Sequence, residues 1–271
     1  MHVIRPFGPE AIERFIAADA DFVLYNIERA LRRADGEPRT TRFGAATALQ
    51  DPTRQDVDYY NRVVGLDDSS IERLPRIIEH FHEAGMPCHV TLTPDRATEP
   101  LLEALGDRGF RYVGGQSFFA IHRSEHQDVT TPDTIDVRRV GRDELDAVYD
   151  IWEAPFPDPI PPDVRVKRTG AHLVETFPMY LARLGGRPAA MATMFLSHGI
   201  AWLGNANTVE GERRHGCHLA LLHHRLRESW RLGCEWAITD TDYGSTSHRN
   251  AERAGMRMAF ITVELSLPRP A

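Results

Sequence analysis

The chain has 271 residues, 42% hydrophobic and 26% charged, a composition that suits one large or two ordinary globular domains and excludes a disordered or fibrous protein. Its formal net charge of −7 argues against nonspecific nucleic-acid binding, which needs Lys and Arg to neutralise phosphates. No apolar run is long enough to cross a bilayer and no signal-peptide core is present, so we expect a cytoplasmic protein without a nucleic-acid or membrane partner.

The first half of the chain alternates between helical and extended patterns. Apolar residues recur at largely helical spacing over 8–33 and predict one or two amphipathic helices, which a turn-rich piece follows. Gly85 and Gly109 are suited to end helices. The elements predicted after the turn are strands over 43–50 and 59–66, a helix over 70–84, a strand over 89–92, a helix over 99–107 and a strand over 110–121.

The second half begins after a polar stretch over 124–134, the best linker candidate in the chain. The proline-rich segment over 154–162 cannot be regular, and it suits a wall or lid over a substrate site as well as a rigid crossover. The other predicted elements are strands over 135–140, 180–184, 189–196, 200–207, 236–239 and 259–265, and helices over 143–152, 173–177 and 247–254. A further helix is predicted to run out of the turn over 213–218 and to end at Gly233.

The turn after the 200–207 strand reads Arg-Arg-His-Gly-Cys-His over 213–218 and leads into a helix. The first backbone N–H groups of a helix have no intrahelical partner and lie at the positive end of its dipole. Gly216 lets the backbone approach an anion without a Cβ in the way. The turn is therefore suited to a phosphate or pyrophosphate, although many similar turns bind nothing.

The two halves of the chain repeat one another. Gly85 and Gly233 each lie five residues before the middle of a short apolar strand, and a helix, a Gly-Phe or Gly-Met pair and a final strand then follow at nearly equal spacing. We therefore predict a tandem duplication with one lobe over 1–125 and the other over 133–271.

The copies differ at the anion-binding turn. The corresponding place in the first half, 66–70, reads Leu-Asp-Asp-Ser-Ser, which has no glycine. Its two carboxylates would repel a pyrophosphate at the start of the helix. The first lobe is therefore predicted to be a degenerate, structural copy.

Two stretches of the second half match a known pattern. Arg213, Gly216 and His218 occupy the three fixed places of a loop of the form Arg/Gln-x-x-Gly-x-Gly/Ala. The run over 244–256 is similar to the last strand, helix and Gly-Phe ending of the same pattern, with Gly-Met in place of Gly-Phe. These residues resemble the GNAT superfamily of acyl-CoA-dependent N-acyltransferases. The resemblance implies an α/β (α+β) fold of two tandem lobes, each with a mixed, mostly antiparallel central sheet flanked by helices.

The resemblance also implies a co-substrate, acyl-CoA with acetyl-CoA as the first expectation, and no metal. Backbone amides of the turn would hold the CoA pyrophosphate, the end of the preceding strand would meet the pantetheine and thioester, and the short helix would lie on the other side of the cofactor. The cofactor-binding residues so implied are Asn207, Thr208, Val209, Arg213, Arg214, His215, Gly216, Cys217, His218, Ser247 and Asn250.

Two residues depart from the superfamily pattern. His218 replaces the usual small residue, and Ala251 stands where a general-acid tyrosine is frequent. The nearby groups that could protonate the leaving thiolate are Tyr243, Ser247 and His248. The candidate bases at the ends of the central strands are Glu210, Asp240 and Asp242. From these two sets we predict Glu210, Tyr243 and Ser247 as the catalytic residues.

Metal and disulfide chemistry are not expected. Several His and Cys residues lie between 215 and 224, but His218 and His223 are five apart on a helix and diverge. Cys88, Cys217 and Cys234 are odd in number and lack CxxC spacing, so we expect reduced thiols.

The sequence therefore predicts an N-acyltransferase, with N-acetyl transfer as the first expectation, that acts on a primary amine of a small molecule or peptide. The alternative is a non-catalytic acyl-CoA sensor or scaffold, which the missing tyrosine at position 251 motivates. The sequence makes no prediction about the acceptor's identity or the oligomeric state.

Overall fold

The computed structural model of the chain describes residues 7–29, 39–52, 55, 57–155 and 161–269. The chain divides into two compact units, each drawn from two separate stretches. We call them the major unit (Met1–Phe22 and Phe118–Ala259) and the minor unit (Val23–Ser117 and Phe260–Ala271). The units interleave in the sequence, so neither is the continuous stretch 1–125 or 133–271 that the repeat predicts.

Within the described residues, both repeats contain three strands, a helix, a strand, a helix and two strands in the same order, but before these elements the first repeat has one helix and the second has a strand and two helices. None of the described helices has the length and apolarity needed to cross a bilayer. The helices are α1 (Pro9–Arg29), α2 (Leu74–Glu83), α3 (Glu99–Asp107), α4 (Leu145–Glu153), α5 (Pro162–His172), α6 (Cys217–Arg231) and α7 (Thr246–Arg253). The strands are β1 (Arg39–Phe43), β2 (Ala46–Gln50), β3 (Arg62–Val64), β4 (Cys88–Leu92), β5 (Arg111–Gly114), β6 (Ser117–His122), β7 (Ile135–Arg139), β8 (Met179–Leu184), β9 (Arg187–Ser197), β10 (Ile200–Thr208), β11 (Trp236–Thr241), β12 (Arg257–Ile261) and β13 (Val263–Leu267).

Two predicted strands are each broken into two. The strand predicted over 110–121 is β5 followed by β6, and the strand predicted over 259–265 is β12 followed by β13. In both cases the strands on either side of the break pair in different sheets. Apolar alternation continues across the break near Thr262, so periodicity alone did not reveal it, whereas the Gly114-Gly115 pair was a local signal of the other break.

The prediction of a helix over 173–177 is wrong, because the helix in this region is α5, which ends at His172. Pro162 occupies one of its first positions. The backbone N–H that proline lacks would have no intrahelical acceptor there, and the fixed φ of proline already suits a helix. Of the proline-rich segment predicted as a lid or crossover, residues 156–160 lie outside the described part of the chain.

The minor unit is built on a six-stranded sheet in the order β1-β2-β3-β4-β13-β5. Only β3 and β4 run parallel, and the other neighbours are antiparallel. On α2, Leu74, Ile77 and Phe81 recur at helical spacing and are buried in one apolar core with residues of α3 and of the sheet. The amphipathic pattern of the sequence therefore sets which face of α2 covers the sheet.

The major unit is built on a seven-stranded sheet in the order β12-β6-β11-β10-β9-β8-β7. Neighbours from β7 to β10 are antiparallel, whereas β10 and β11 run parallel. Leu221, Leu222 and Leu226 of α6 are buried against small residues of the strands, such as Ala190 and Ala201. Both sheets are mixed, mostly antiparallel and flanked by helices, which confirms the predicted α/β fold of two similar lobes.

The last strand of each repeat lies in the sheet of the other repeat. β6 ends the first repeat but lies between β11 and β12, and β13 ends the second repeat but lies between β4 and β5. Phe119 and Ile121 of β6 accordingly join the major core, and Leu265 of β13 joins the minor core. This exchange explains why the polar stretch over 124–134, although irregular, does not separate the two units.

The two breaks meet in the minor unit. Gln116 N–H donates to Thr262 Oγ1 at 2.9 Å, and Thr262 N–H donates to the Gln116 carbonyl at 3.0 Å. A Cβ built on Gly115 would lie 2.1 Å from the Thr262 carbonyl oxygen, far inside van der Waals contact. The backbone approach at the breaks therefore requires glycine at position 115.

We expect Gly115→Ala to lower the free energy of unfolding by about 1–3 kcal/mol, because a methyl group must displace backbone there. Gly114→Ala is the matched control: its Cβ would lie 3.7 Å from Glu264 Oε2, an ordinary contact, and we expect a change within about 0.5 kcal/mol. Urea denaturation followed by circular dichroism measures both. Equal losses in the two variants would contradict this account of the breaks.

Candidate functional site

The central strands of the major unit separate after a short paired stretch. β10 and β11 pair in parallel over Ile200–Trp202 and Trp236–Ile238. One residue later, Thr239 Oγ1 donates to the Leu203 carbonyl at 2.8 Å, so a side chain takes the place of a backbone partner. Both strands continue beyond this point, to Thr208 and Thr241. A gap therefore opens between their carboxyl ends.

A bulge in β10 lies at the edge of this gap. The register of β10 against β9 shifts between Gly204 and Asn207, and Asn205 adopts a φ of +47°. Thr193 of β9 holds the bulge, because its Oγ1 donates to the Gly204 carbonyl at 3.2 Å and accepts from Asn205 Nδ2 at 3.2 Å. The bulge places Asn205 and Ala206 along the gap, where both line a cavity.

The start of α6 lies beside the end of β10. Gly216 precedes the helix with a φ of +87°, and Arg214 has a φ of +68°. The first helical hydrogen bond is donated by Ala220 N–H to the Gly216 carbonyl, so the N–H groups of residues 217–219 lack an intrahelical acceptor. These free donors, at the positive end of the helix dipole, suit an anion.

A cavity of about 620 Å³ extends from this helix start to α7. The structure brings together most of the residues that the resemblance implied for the cofactor, but Val209 and His215 do not line the cavity. The N–H of Val209 already donates to the Ala189 carbonyl at 2.9 Å. The lining residues are Ala206, Asn207, Thr208, Glu212, Arg213, Arg214, Gly216, Cys217, His218, Leu219, Thr246, Ser247, Asn250 and Arg253.

A smaller cavity of about 260 Å³ lies in the gap between β10 and β11. It shares Ala206, His218 and Ser247 with the larger cavity, so the two adjoin. Its lining residues are Leu203, Gly204, Asn205, Ala206, His218, Leu222, Arg225, Thr239, Asp240, Thr241, Ser247 and Ala251.

His218, one of the shared residues, has a defined tautomer. Arg253 Nη1 donates to Asn250 Oδ1 at 3.4 Å, which leaves Asn250 Nδ2 to donate to His218 Nδ1 at 3.0 Å. Burial, aided by the nearby cation of Arg225, lowers the pKa of His218 to about 4. The ring is therefore neutral at pH 7 and carries its proton on Nε2, which has no hydrogen-bond partner within the described part of the chain.

The predicted catalytic residues lie in different places. Ser247 lines both cavities, whereas neither Glu210 nor Tyr243 belongs to either lining. Tyr243 is 72% exposed, and its ring packs edge-on against His248 at 5.0 Å. Of the other candidate bases, Asp240 lines the smaller cavity.

Two arginines of the linings were missed by sequence reasoning. Arg253 lies one helical turn after Asn250 on α7 and could have been found from that spacing. Arg225 lies in the middle of α6, and no local pattern distinguished it from the other arginines of that helix. Its position became evident only when α6 was packed against the sheet.

The minor unit has a different arrangement at the corresponding helix start. The carboxylate of Asp67 accepts hydrogen bonds from the hydroxyls of Ser69 and Ser70, at 2.6 and 3.1 Å. These hydrogen bonds, led by the one from Ser69, lower the pKa of Asp67. A fixed negative charge therefore lies where the major unit has free N–H donors.

The described residues include three cysteines and other side chains of the kinds that bind metal ions. They contain no cluster of three or more His, Cys, Asp or Glu side chains able to hold a metal ion. Cys88, Cys217 and Cys234 are free and buried, and burial raises the pKa of all three thiols. Buried thiols of raised pKa are poor nucleophiles.

The fold is similar to those of solved GCN5-related N-acetyltransferases. One, from Kribbella flavida, is 18% identical, with 95% of each chain covered and a TM-score of 0.69. Another, from Sphaerobacter thermophilus, is 18% identical, with 84% of this chain and 78% of that chain covered and a TM-score of 0.63. No family model and no curated protein matches the sequence.

A tandem GNAT protein from the clavulanic acid biosynthesis pathway also has a similar structure. It is 11% identical, with 93% of this chain and 97% of that chain covered and a TM-score of 0.56. The agreement extends over both lobes in each of these comparisons. The predicted resemblance to the GNAT superfamily is therefore confirmed at the level of the fold.

The neutral state of His218 predicts a pH dependence of stability. Below the ordinary pKa of about 6.5 the unfolded imidazole takes up a proton that the folded ring binds only near its own pKa of about 4. The free energy of unfolding should therefore fall as pH drops from 6.5 to 4, and less steeply in His218→Gln. Denaturant titrations at pH 7, 6, 5 and 4.5 measure both slopes, and parallel curves would contradict a neutral His218.

Proposed function

We propose that the chain is an acyl-CoA-dependent N-acyltransferase whose major unit binds acyl-CoA, with acetyl-CoA as the first expectation, and acylates a primary amine of a small molecule or peptide. The observation that supports this most strongly is the pair of adjoining cavities. They lead from the free N–H groups at the start of α6 to the gap between β10 and β11. The larger cavity would take the phosphates, and the smaller cavity, whose lining is mostly polar, would take the reacting end.

The larger cavity fits the phosphates of CoA. Donors from the backbone of residues 217–219 and cations from Arg213, Arg214 and Arg253 belong to its lining. One carboxylate, that of Glu212, also lines it, but Arg187 Nη2 lies 3.2 Å away and offsets its charge. We therefore propose this end of the cavity as the pyrophosphate site.

The smaller cavity fits the reacting end. Acyl-CoA, when bound, supplies an acyl carbonyl activated as a thioester. Next to it the chain offers Nε2–H of His218, a neutral donor held in one tautomer, and the hydroxyl of Ser247. Ser247 and Ala251 lie four residues apart on one face of α7, so the hydroxyl of Ser247 is one helical turn from the position where a tyrosine is frequent in the superfamily.

We accordingly propose that Ser247 donates a hydrogen bond to the leaving sulfur, which departs as a thiolate and takes its proton from water, and that His218 stabilises negative charge on the acyl oxygen. Asp240, on the lining of the smaller cavity, is the candidate base for the amine. Glu210 and Tyr243 lie on neither lining, and this reduces the support for their predicted catalytic roles.

A non-catalytic acyl-CoA sensor is the second candidate function. Ala251 favours it, because this residue brings no hydroxyl to the smaller cavity. Titration calorimetry with CoA and acetyl-CoA, followed by a thiol-release assay over a broad amine panel, separates the two functions. Thiol release above the rate of hydrolysis supports the transferase, tight binding without release supports the sensor, and no binding overturns both.

Gly216→Asp should lower the affinity for CoA by about 100-fold or more, since like charges about 4 Å apart repel by roughly 4 kcal/mol near a protein surface. Gly233→Asp is the matched control, because Gly233 follows the other end of α6 with a similar φ of +85°. It adds the same backbone strain and charge far from the proposed phosphate site. Calorimetry measures both affinities, and equal losses would show that the start of α6 does not bind the phosphates.

A further inference from the structure

Arg225 is a deeply buried cation on the lining of the smaller cavity. Its side chain projects from α6, is 2% exposed and belongs to the cavity lining. Nε donates to the Leu221 carbonyl at 3.3 Å, and Nη1 donates to the carbonyls of Thr193 and Gly204 at 2.8 and 3.2 Å. Three of the five N–H groups of the guanidinium therefore donate to backbone carbonyls, and the two N–H groups on Nη2 are left to bind another acceptor.

No carboxylate in the described part of the chain pairs with Arg225. Within the described part of the chain, Arg225 forms no ion pair, and Nη2 has no hydrogen-bond partner. Trp202 Nε1 is an example of a polar atom that is completely buried and has no hydrogen-bond partner. Nη2 of Arg225 is not of that kind, because it keeps some accessible surface. Burial lowers the pKa of Arg225 to about 10, so the side chain is still a cation at pH 7. A buried cation without a counter-charge is costly, and an anion in the cavity would offset that cost.

We propose that the smaller cavity binds a carboxylate carried by a substrate, against Nη2 of Arg225. A carboxylate can accept both N–H groups of Nη2, and a charge-assisted hydrogen bond of this kind is strong in a desolvated cavity. The inference rests on the proposed function, because it names a chemical group within the same transferase site.

The carboxylate can come from either substrate. It can end the acyl group, as in malonyl-CoA or succinyl-CoA, or it can belong to an amino-acid acceptor. Asp240 lies on the same lining and would attract the ammonium group of an amino acid, while Arg225 binds its carboxylate. Both sources share one contact, with Arg225, and the experiment distinguishes them.

The first measurement uses the unaltered protein. Calorimetry compares CoA, acetyl-CoA, malonyl-CoA and succinyl-CoA, and thiol release compares amino acids with their amides, such as leucine with leucinamide. If the acyl group carries the carboxylate, malonyl-CoA or succinyl-CoA binds about tenfold or more tighter than acetyl-CoA. If the acceptor carries it, the amino acids have a kcat/KM about tenfold or more above that of their amides.

Variants then attribute the preference to the guanidinium. Arg225→Gln should abolish the carboxylate preference, and Arg225→Lys should keep part of it. Arg227→Gln is the matched control, since Arg227 lies on the same helix but pairs with Asp128 at 3.1 Å outside both linings, and it should keep the full preference. If the Arg225 variants do not fold, the comparison of ligands on the unaltered protein still decides the question.

Different experimental results would overturn the carboxylate inference and the transferase proposal. If CoA binds but no carboxylate preference exists in either series, the carboxylate inference is overturned and the transferase proposal stands. A preference that persists in Arg225→Gln likewise overturns the role of Arg225. If neither CoA nor any acyl-CoA binds, both proposals are overturned.

Discussion

The separation of β10 from β11 is the constraint on which the rest of the site depends. Two parallel strands that stay paired would leave no space between them, and here pairing ends at Trp202 and Ile238. The bulge in β10 maintains the gap, because Thr193 and the buried guanidinium of Arg225 both bind the Gly204 carbonyl. Breaking a sheet near its centre costs backbone hydrogen bonds, and side chains supply the replacements.

The corresponding helix starts of the two units carry side chains of opposite charge. At the start of α6 a glycine in the left-handed region leaves helix N–H groups free beside exposed arginines. At the corresponding place in the minor unit, the carboxylate of Asp67 is held by Ser69 and Ser70. A helix dipole is common to both places, so the difference in side-chain charge decides which one suits an anion. That the first repeat has a purely structural role stays a prediction.

The exchange of β6 and β13 links the two repeats through the covalent chain while preserving the sheet of each unit. Phe119 and Ile121 of β6 complete the major core, as Leu265 of β13 completes the minor core. Either unit would lose an internal strand if its own repeat were isolated, because each exchanged strand lies between two others. A fragment that follows the sequence repeat would therefore lack one strand of its sheet.

The sequence by itself determined the order of most helices and strands, the duplication and the anion-suited turn, because these follow from local periodicity, glycine positions and helix-start chemistry over 213–218. It did not determine the breaks at Gly115 and Thr262 or the partners of β6 and β13, since apolar alternation is the same whichever sheet accepts a strand. Only the tertiary structure decided that His218 and Arg225 line one cavity. The roles proposed for them depend on burial and on partners distant in the chain. The loop pattern over 213–218 marked His218 in the sequence, whereas Arg225 leaves no local pattern.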